Sequence, residues 1–556
     1  MLALAAAVRL GNLAILGGLP VAEYELRWNE SDMATVYRWS GRIVSGDILG
    51  RDTVHQYTDW MASIAPPEVW ERWWGGKGVF HQAPLYAYAV AGMRFVVGDG
   101  FWPIALCQMG LGLLNVALVF LLAARFFDRT VATAAALGAA LYGPFLLHEP
   151  LLLRDTLAVS TSLLLLWGLS RCDEARPGPW LVAGFLFALA VLAREATLLF
   201  APFVAVRFRH GAWPRVLAAF AAGAVLGFAP LVARNVVVGV APWALSTRAI
   251  EGFIYGHAAG GSPVGVQLPP ATRSILEAAD GRLGTAIRLT LATYHGDAWA
   301  LGRRELAKLA AIFSRYEGMD NVNWYYFADR SPVLRCALRY EWVLALGLFG
   351  LWCARKSAAR HRVLWSFLLA AIGGLMYATV VGRYRLVPAA VLMIYAGAAV
   401  VWLGRAFRGG RWAAAAGGTA AVLGLIVASG HLLGRIPARE RYRSAEFFLA
   451  GQVYYQHGDP ARALEEVRTG LRMAYRGPDQ PTLPPGYLSL VRELVQVARE
   501  LGRDRDAAAD LERLAADYPA DADVESLLGV VYRDGLQRPD EAERHFDEAA
   551  RRLHTH

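Results

Sequence analysis

Residues 412–434 read WAAAAGGTAAVLGLIVASGHLLG, and residues 435–470 read RIPARERYRSAEFFLAGQVYYQHGDPARALEEVRTG. The first stretch is an apolar run long enough to cross hydrocarbon. The second is charged and alanine-rich, with leucines and aromatics at helical spacing. The change at Arg435 divides the chain into a membrane body, residues 1–434, and a soluble tail, residues 435–556. Apolar runs bounded by charge recur upstream, at about eleven places if a span needs about 20 residues. They fall at 2–22, 101–123, 131–148, 152–170, 179–193, 196–208, 214–234, 337–353, 363–381, 386–404 and 412–434. The pair 179–193 and 196–208 is short and is interrupted by Arg194 and Glu195. The first twenty residues form a span rather than a cleaved leader, because no basic region precedes the apolar run and Arg9 interrupts it.

Composition agrees with this division. Of 556 residues 56% are hydrophobic, and the mean hydropathy is +0.32, too apolar for one soluble globule. The formal net charge of +9 does not point to nucleic acid, because the basic residues cluster between apolar runs. Arg125 and Arg129, Arg171 and Arg176, Arg207, Arg209 and Arg215, Arg355, Lys356, Arg360 and Arg362, and Arg405, Arg408 and Arg411 fall in alternate short loops, which the positive-inside rule assigns to the cytoplasm. The segments 23–100 and 235–336 then face outward together with the tail. The predicted location is an inner membrane, multi-pass, with a periplasmic C-terminal domain. Cys107, Cys172, Cys336 and Cys353 have neither disulfide-framework nor zinc-knuckle spacing.

The tail repeats internally. Gly451, Tyr454, Gly458 and Ala463 sit at the spacings of a tetratricopeptide helix pair, whose period is about 34 residues. Gly502, Ala507, Leu511 and Pro519 repeat the second half of the pattern, and Gly529, Tyr532, Ala542, Phe546 and Ala549 restate it with one inserted residue. An α-solenoid of about three such repeats buries a continuous core and offers a concave surface to a protein partner. A generic amphipathic helical bundle is the plainer alternative.

Three clusters in the body carry candidate chemistry. The first outer segment holds Asn29-Glu30-Ser31-Asp32-Met33 and later Phe80-His81-Gln82-Ala83-Pro84-Leu85-Tyr86. Glu30 and Asp32, just beyond the first span, face the headgroup level, although capping of a surface helix accounts for such carboxylates equally well. His148-Glu149-Pro150 with Arg154 and Asp155 occupies a very short turn. Ionisable groups so close to hydrocarbon have a partner or a task. His148 and Glu149 are candidates for a divalent metal ion, but two ligands fall short of the usual three or four, and a Glu149–Arg154 ion pair is the alternative. Arg194, Arg234, and Arg383-Tyr384-Arg385 place guanidinium groups on the outward side, against the positive-inside trend. Guanidinium forks suit phosphate, while snorkelling to the headgroups explains any one of them alone.

As a set, these residues resemble polyprenyl-phosphate-sugar-dependent glycosyltransferases of the GT-C fold. This is the group of protein O-mannosyltransferases and lipid A aminoarabinose transferases, and the likeness is to family-39-like members that end in tetratricopeptide repeats. The likeness rests on Asp32 with Tyr37 and Gly46-Asp47, on Ala83-Pro84-Leu85-Tyr86, and on the helix from Gln108 to Arg125. It continues through Ala193-Arg194, Arg234-Asn235, Gly252-Phe253-Ile254-Tyr255-Gly256 and Arg383-Tyr384-Arg385-Leu386 with Pro388. It covers about residues 20–400 and rests on the order of motifs more than on any one.

The resemblance implies an all-α membrane enzyme and a catalytic carboxylate at Asp32, or else at Glu30. That group would deprotonate an acceptor hydroxyl, which attacks the sugar with inversion as polyprenyl phosphate leaves. Arg234, Arg383 and Arg385 become the phosphate contacts, and Tyr384, His81, Gln82, Glu149 and Arg194 line the substrate site. The implied partners are a polyprenyl-phosphate-sugar lipid and a protein, lipid or glycan acceptor, with hexosyl or pentosyl transfer. The chain departs from the family where relatives carry a lysine before Pro-Leu-Tyr, here His81-Gln82-Ala83 with Lys77 nearby, and where they carry Arg-Pro, here Arg194-Glu195. Two readings from other classes are a transporter or flippase for polyprenyl-linked glycans, and a non-catalytic scaffold that recruits envelope partners through its repeats.

Overall fold

The computed structural model describes the chain except for residues 174–175, 205–212, 267, 358, 435, 437, 475–480, 484–486 and 555–556. Arg207 and Arg209 of the basic loops lie outside the described residues. The protein is all-α: among the described residues there are no strands, only isolated bridges from Tyr142 to Leu338 and from Val264 to Val380. The chain forms two compact units, one of residues 1–13 and 29–435, the other of residues 14–28 and 436–556.

Among the described residues of the first unit, four helices are long and apolar enough to cross a membrane: Phe101–Phe126, Pro214–Val238, Gly382–Arg408 and Trp412–His431. The other apolar runs form shorter helices, among them Leu2–Gly17, Asp155–Ser170, Pro177–Ala193 and Arg362–Tyr377. Polar or helix-breaking residues shorten them. The run 131–148 divides at Tyr142 into Arg129–Leu141 and Gly143–His148, with Pro144 opening the second piece. The run at 196–208 begins as the 3-10 turn Glu195–Phe200, where Arg194 leaves helical geometry at φ −152°.

Small residues allow these helices to touch backbone to backbone. A Cβ on Gly184 would stand 1.9 Å from the Phe220 carbonyl oxygen, and one on Gly223 the same distance from that of Leu181. The helices Pro177–Ala193 and Trp213–Val238 therefore meet through glycine. Gly350 does the same against Tyr395, joining Tyr340–Ala354 to Leu386–Arg408. Close packing of this kind replaces the hydrophobic drive that helices lack among lipid tails.

The second unit contains the helices Ser444–Gln456, Pro460–Ala474, Leu488–Glu500, Asp504–Asp517, Ala522–Val530 and Pro539–His554. Consecutive helices pack on one another, and Ser444–Gln456 also touches Leu488–Glu500, which in turn touches Ala522–Val530. The repeated small residues lie in the seams. Ala463, Ala507 and Ala542 are buried, and a Cβ on Gly529 would fall 2.7 Å from the Phe546 ring.

Candidate active site

Ser31 begins the geometry. Its hydroxyl accepts from the Ala34 backbone N–H at 3.0 Å, and it caps the helix Asp32–Val44. The cap is thus Ser31, neither Glu30 nor Asp32. Asp32 instead occupies the first helical turn, where the unpaired N–H groups favour a negative charge, and only 4% of it is exposed.

Four donors reach its carboxylate. Gln82 Nε2 lies 2.6 Å and Gln56 Nε2 3.0 Å from Oδ1, while Asn321 Nδ2 lies 2.7 Å and Arg383 Nη2 2.5 Å from Oδ2. Asn321 also accepts from the Asp32 backbone N–H at 2.9 Å. Arg248 Nη2 stands 3.9 Å from Oδ1. Burial opposes ionisation of this group, but the Arg383, Arg248 and Arg154 charges outweigh it and hold the carboxyl well below the usual carboxylate range. His81 supports the network from behind, its Nε2 3.1 Å from Gln56 Oε1. Burial, then the Arg248 charge, keeps its imidazole neutral well below the usual histidine value.

Arg383 joins three carboxylates. Besides Asp32 it reaches Asp320 Oδ2 through Nε at 2.5 Å and Asp155 Oδ2 through Nη1 at 3.3 Å. The preceding Gly382 makes this possible. Its N–H donates to the Gly318 carbonyl at 2.8 Å, and a Cβ there would fall 2.5 Å from Glu317 Oε2. A side chain at 382 would have to displace the Glu317 carboxylate, so glycine favours the close approach of the 3-10 turn Gly382–Arg385 to the loop that supplies Asp320 and Asn321. Arg194 reaches Asp155 Oδ1 at 2.8 Å and stacks over the Tyr384 ring at 4.4 Å. Arg154 reaches Glu195 Oε2 at 2.7 Å, and the other oxygen of Glu195 accepts from the Ala83 N–H at 2.8 Å.

These side chains border a cavity of about 400 Å³ whose charged wall includes Arg154, Arg194, Arg248, Asp320 and Arg383. The lining also includes the apolar Leu198, Leu199, Leu245 and Val266. Leu198 and Leu199 also present much of their surface outside the fold. The cavity lining thus combines guanidinium groups with hydrocarbon.

Of the residues singled out from sequence, Arg194, Arg383 and Tyr384 border the cavity, and Asp32, Gln82 and His81 form the network beside it. Arg234 and Arg385 do not join them. Arg234 donates to the carbonyls of Leu49 and Gly78, both at 2.6 Å, and to that of Gly50, with its guanidinium over Phe80. Arg385 donates to the Ser314 and Tyr316 carbonyls and pairs with Glu317 at 2.6 Å. Both satisfy loop carbonyls that would otherwise be buried unpaired.

Glu149 pairs with Arg9 at 2.7 Å, so its partner is Arg9 and not Arg154. No group of three or more His, Cys, Asp or Glu able to hold a metal ion, whether at His148 and Glu149 or elsewhere, occurs among the described residues. Glu30 offers its backbone carbonyl to Gln56 at 3.1 Å. Lys77 pairs with the exposed Asp52 at 3.4 Å and does not border the cavity. Sequence reasoning passed over Gln56, Arg248, Asp320 and Asn321. The only signal at the last two was the polar run Met319-Asp320-Asn321-Val322-Asn323 in an otherwise mixed loop.

With this geometry in view, comparison with known proteins gives one sequence match. The family model described as dolichyl-phosphate-mannose-protein mannosyltransferase matches residues 81–237. That stretch begins at His81 and includes Asp155, Arg194 and Glu195. No curated protein matches the chain. Among solved structures, the Archaeoglobus fulgidus oligosaccharyltransferase tethered with an acceptor peptide is 14% identical, with a TM-score of 0.37, over 82% of this chain and 58% of that one. The archaeal oligosaccharyltransferase AglB from the same organism, in complex with an inhibitory peptide and a dolichol-phosphate, gives 14% identity and a TM-score of 0.37 over 83% and 58%. The chain thus spans a little over half the length of these structures, and similarity this distant carries no argument about chemistry.

Proposed function

We propose that the chain is an integral membrane glycosyltransferase that moves a sugar from a polyprenyl-phosphate donor to an acceptor hydroxyl at the outer face of the membrane. The observation that carries this reading is the meeting of a buried carboxylate, Asp32, with Arg383 and Arg248 beside a cavity that is also lined by apolar side chains. A lipid-linked sugar phosphate needs these three things: a base, cations for the phosphate, and an apolar path for the chain. The mannosyltransferase match over residues 81–237 supports the same reaction class.

In this mechanism Asp32 accepts the proton of the acceptor hydroxyl. The hydroxyl oxygen forms the new bond to the anomeric carbon as the bond from that carbon to the phosphate oxygen breaks, with inversion. Polyprenyl phosphate leaves with the electron pair. Arg383 is a poor first contact for phosphate, because all three of its nitrogens already face carboxylates. Arg248 is the better one: its pair with Asp32, at 3.9 Å, is the loosest in the cluster, and its other pair, with Glu251, is at 3.3 Å. Phosphate drawing Arg248 away would also leave Asp32 a stronger base, since a nearby cation lowers proton affinity. Positioned charges of this kind act strongly in a partly dry site. The tail, read as a tetratricopeptide domain on the same side, presents a partner or acceptor.

The test is direct. Purified protein given polyprenyl-phosphate sugars, hexosyl and pentosyl, with peptide, lipid and glycan acceptors, releases polyprenyl phosphate only when donor and acceptor are both present. If no combination releases it, the reading fails.

A further inference from the structure

The opposite ends of the helices that border the cavity surround a second hollow. Arg154 and Asp155 start the helix Asp155–Ser170, and its far end brings Ser170 and Arg171 to a hollow of about 1020 Å³. The helix Arg362–Tyr377 likewise ends beside the cavity and begins at this hollow. Each has 16 residues, which at about 1.5 Å per residue separates the two hollows by roughly 24 Å.

Five guanidinium groups border it: Arg125, Arg171, Arg176, Arg360 and Arg362. They come from three separate loops. Arg125 donates to the Ser170 carbonyl at 3.3 Å, Arg360 donates to the Arg125 carbonyl at 3.2 Å, and Arg171 stacks over Trp167. A guanidinium has five N–H donors, so the contacts just named use only part of this donor capacity, and one carboxylate, Asp173, borders the hollow with them. Two helices also begin there, Pro177–Ala193 and Arg362–Tyr377, and neither N-terminus is capped by a side chain. The Arg362–Tyr377 terminus adds positive potential through its unpaired N–H groups, whereas Pro177 and Pro179 leave the other helix start with few N–H donors. The floor is apolar and buried, with Phe126, Trp180 and Val363.

Charge bias between spans requires basic residues near one face, not their convergence on one hollow. Arg405 shows the difference. It lies in a basic loop as well, but it pairs with Asp128 at an exposed position and does not border the hollow.

We propose that this basic hollow is a second binding site, separate from the sugar-transfer cavity, for a phosphate-bearing anion. Phosphate is the chemistry that convergent guanidinium forks and uncapped helix N-termini recognise together. Its source is either the headgroup of an anionic phospholipid or a soluble phosphate compound. The proposal does not depend on the transferase reading.

The test uses the full chain in detergent micelles. Native mass spectrometry and thermal melting follow binding of phosphatidylglycerol, of phosphatidylcholine, and of inorganic pyrophosphate. The expected result is that phosphatidylglycerol or pyrophosphate binds and raises Tm, while phosphatidylcholine, whose headgroup has no net charge, does not. Selective retention of phosphatidylglycerol assigns a lipid headgroup, and saturable binding of pyrophosphate assigns a soluble ligand. The variant carrying Arg171→Gln, Arg176→Gln and Arg360→Gln binds at least about tenfold more weakly, a loss of about 1.4 kcal/mol. On the wild-type protein, phenylglyoxal labelling of these three arginines falls when the anion is present, so the site is testable even if the triple variant folds poorly. Binding by neither anion, undiminished binding by the triple variant, or unprotected labelling overturns the proposal.

Discussion

At the residue scale, the partners a polar group already holds decide what else it can bind. Asp32 has four close donors, and Arg383 has three carboxylates. Removing Arg383 takes the close cation from Asp32 and Asp320 and leaves Asp155 with Arg194 alone, so Arg383→Gln costs about 3–5 kcal/mol of stability and its thermal melt shifts sharply. Arg248→Gln is milder, because the side chain is about a third exposed and its pairs are long. It raises the donor KM about tenfold with a smaller change in kcat, since it removes one charge-assisted phosphate contact; steady-state kinetics at varied donor checks this. Sequence reading selected Asp32, Gln82, Arg194, Arg383 and Tyr384, and these converge in space. It also selected Arg234 and Arg385, which serve loop carbonyls, because a guanidinium that binds phosphate and one that satisfies backbone look alike in sequence. Asn321 could not be selected. It meets Asp32 from 289 positions away, in a loop with no periodic pattern to place it.

At the scale of elements, the apolar runs were legible because hydropathy needs only composition, whereas helix ends were not. Where Tyr142 pairs with Leu338 or Arg194 turns toward Asp155, Pro144 and the Arg194-Glu195 pair mark an interruption locally, but the residue at which the helix stops goes with a tertiary contact. The glycine contacts make a sharp prediction. Gly184→Leu forces a side chain into the Phe220 backbone, separates two helices, and destabilises the fold by 3 kcal/mol or about that much by the general cost of overpacking, read as a lower melting temperature and lower yield.

Gly382→Ala disturbs a more local contact, the one with the Glu317 carboxylate. It reduces transfer more than it reduces stability, which paired activity and melting measurements separate. In the second unit, Glu493 is buried, and burial pushes its carboxyl up to about 8. A carboxyl raised in the folded state stabilises below its unfolded pKa of about 4.5, and that contribution disappears as pH rises through 8. The helix Leu488–Glu500 therefore loosens between about pH 4.5 and pH 8. Glu493→Gln protects it at neutral pH and flattens the dependence, which amide hydrogen exchange at pH 5 and pH 8 measures.

At the scale of the whole molecule, the charge pattern and the structure connect at the two ends of the same helices. Carboxylates and arginines meet apolar side chains at one end of Asp155–Ser170, and arginines gather at the other. The first arrangement suits chemistry on a lipid-linked phosphate, and the second suits anion binding without chemistry, having no buried carboxylate network. The central claim is that Asp32 performs the proton transfer in the first. The measurement that tests it most directly is sugar transfer from a polyprenyl-phosphate donor by purified wild-type and Asp32→Asn protein, with donor binding and melting recorded on the same preparations. The account predicts that Asp32→Asn remains folded and binds donor but transfers at least 10²–10⁴-fold more slowly, the usual contribution of a general base, or about that much. Transfer by Asp32→Asn at the wild-type rate would contradict it.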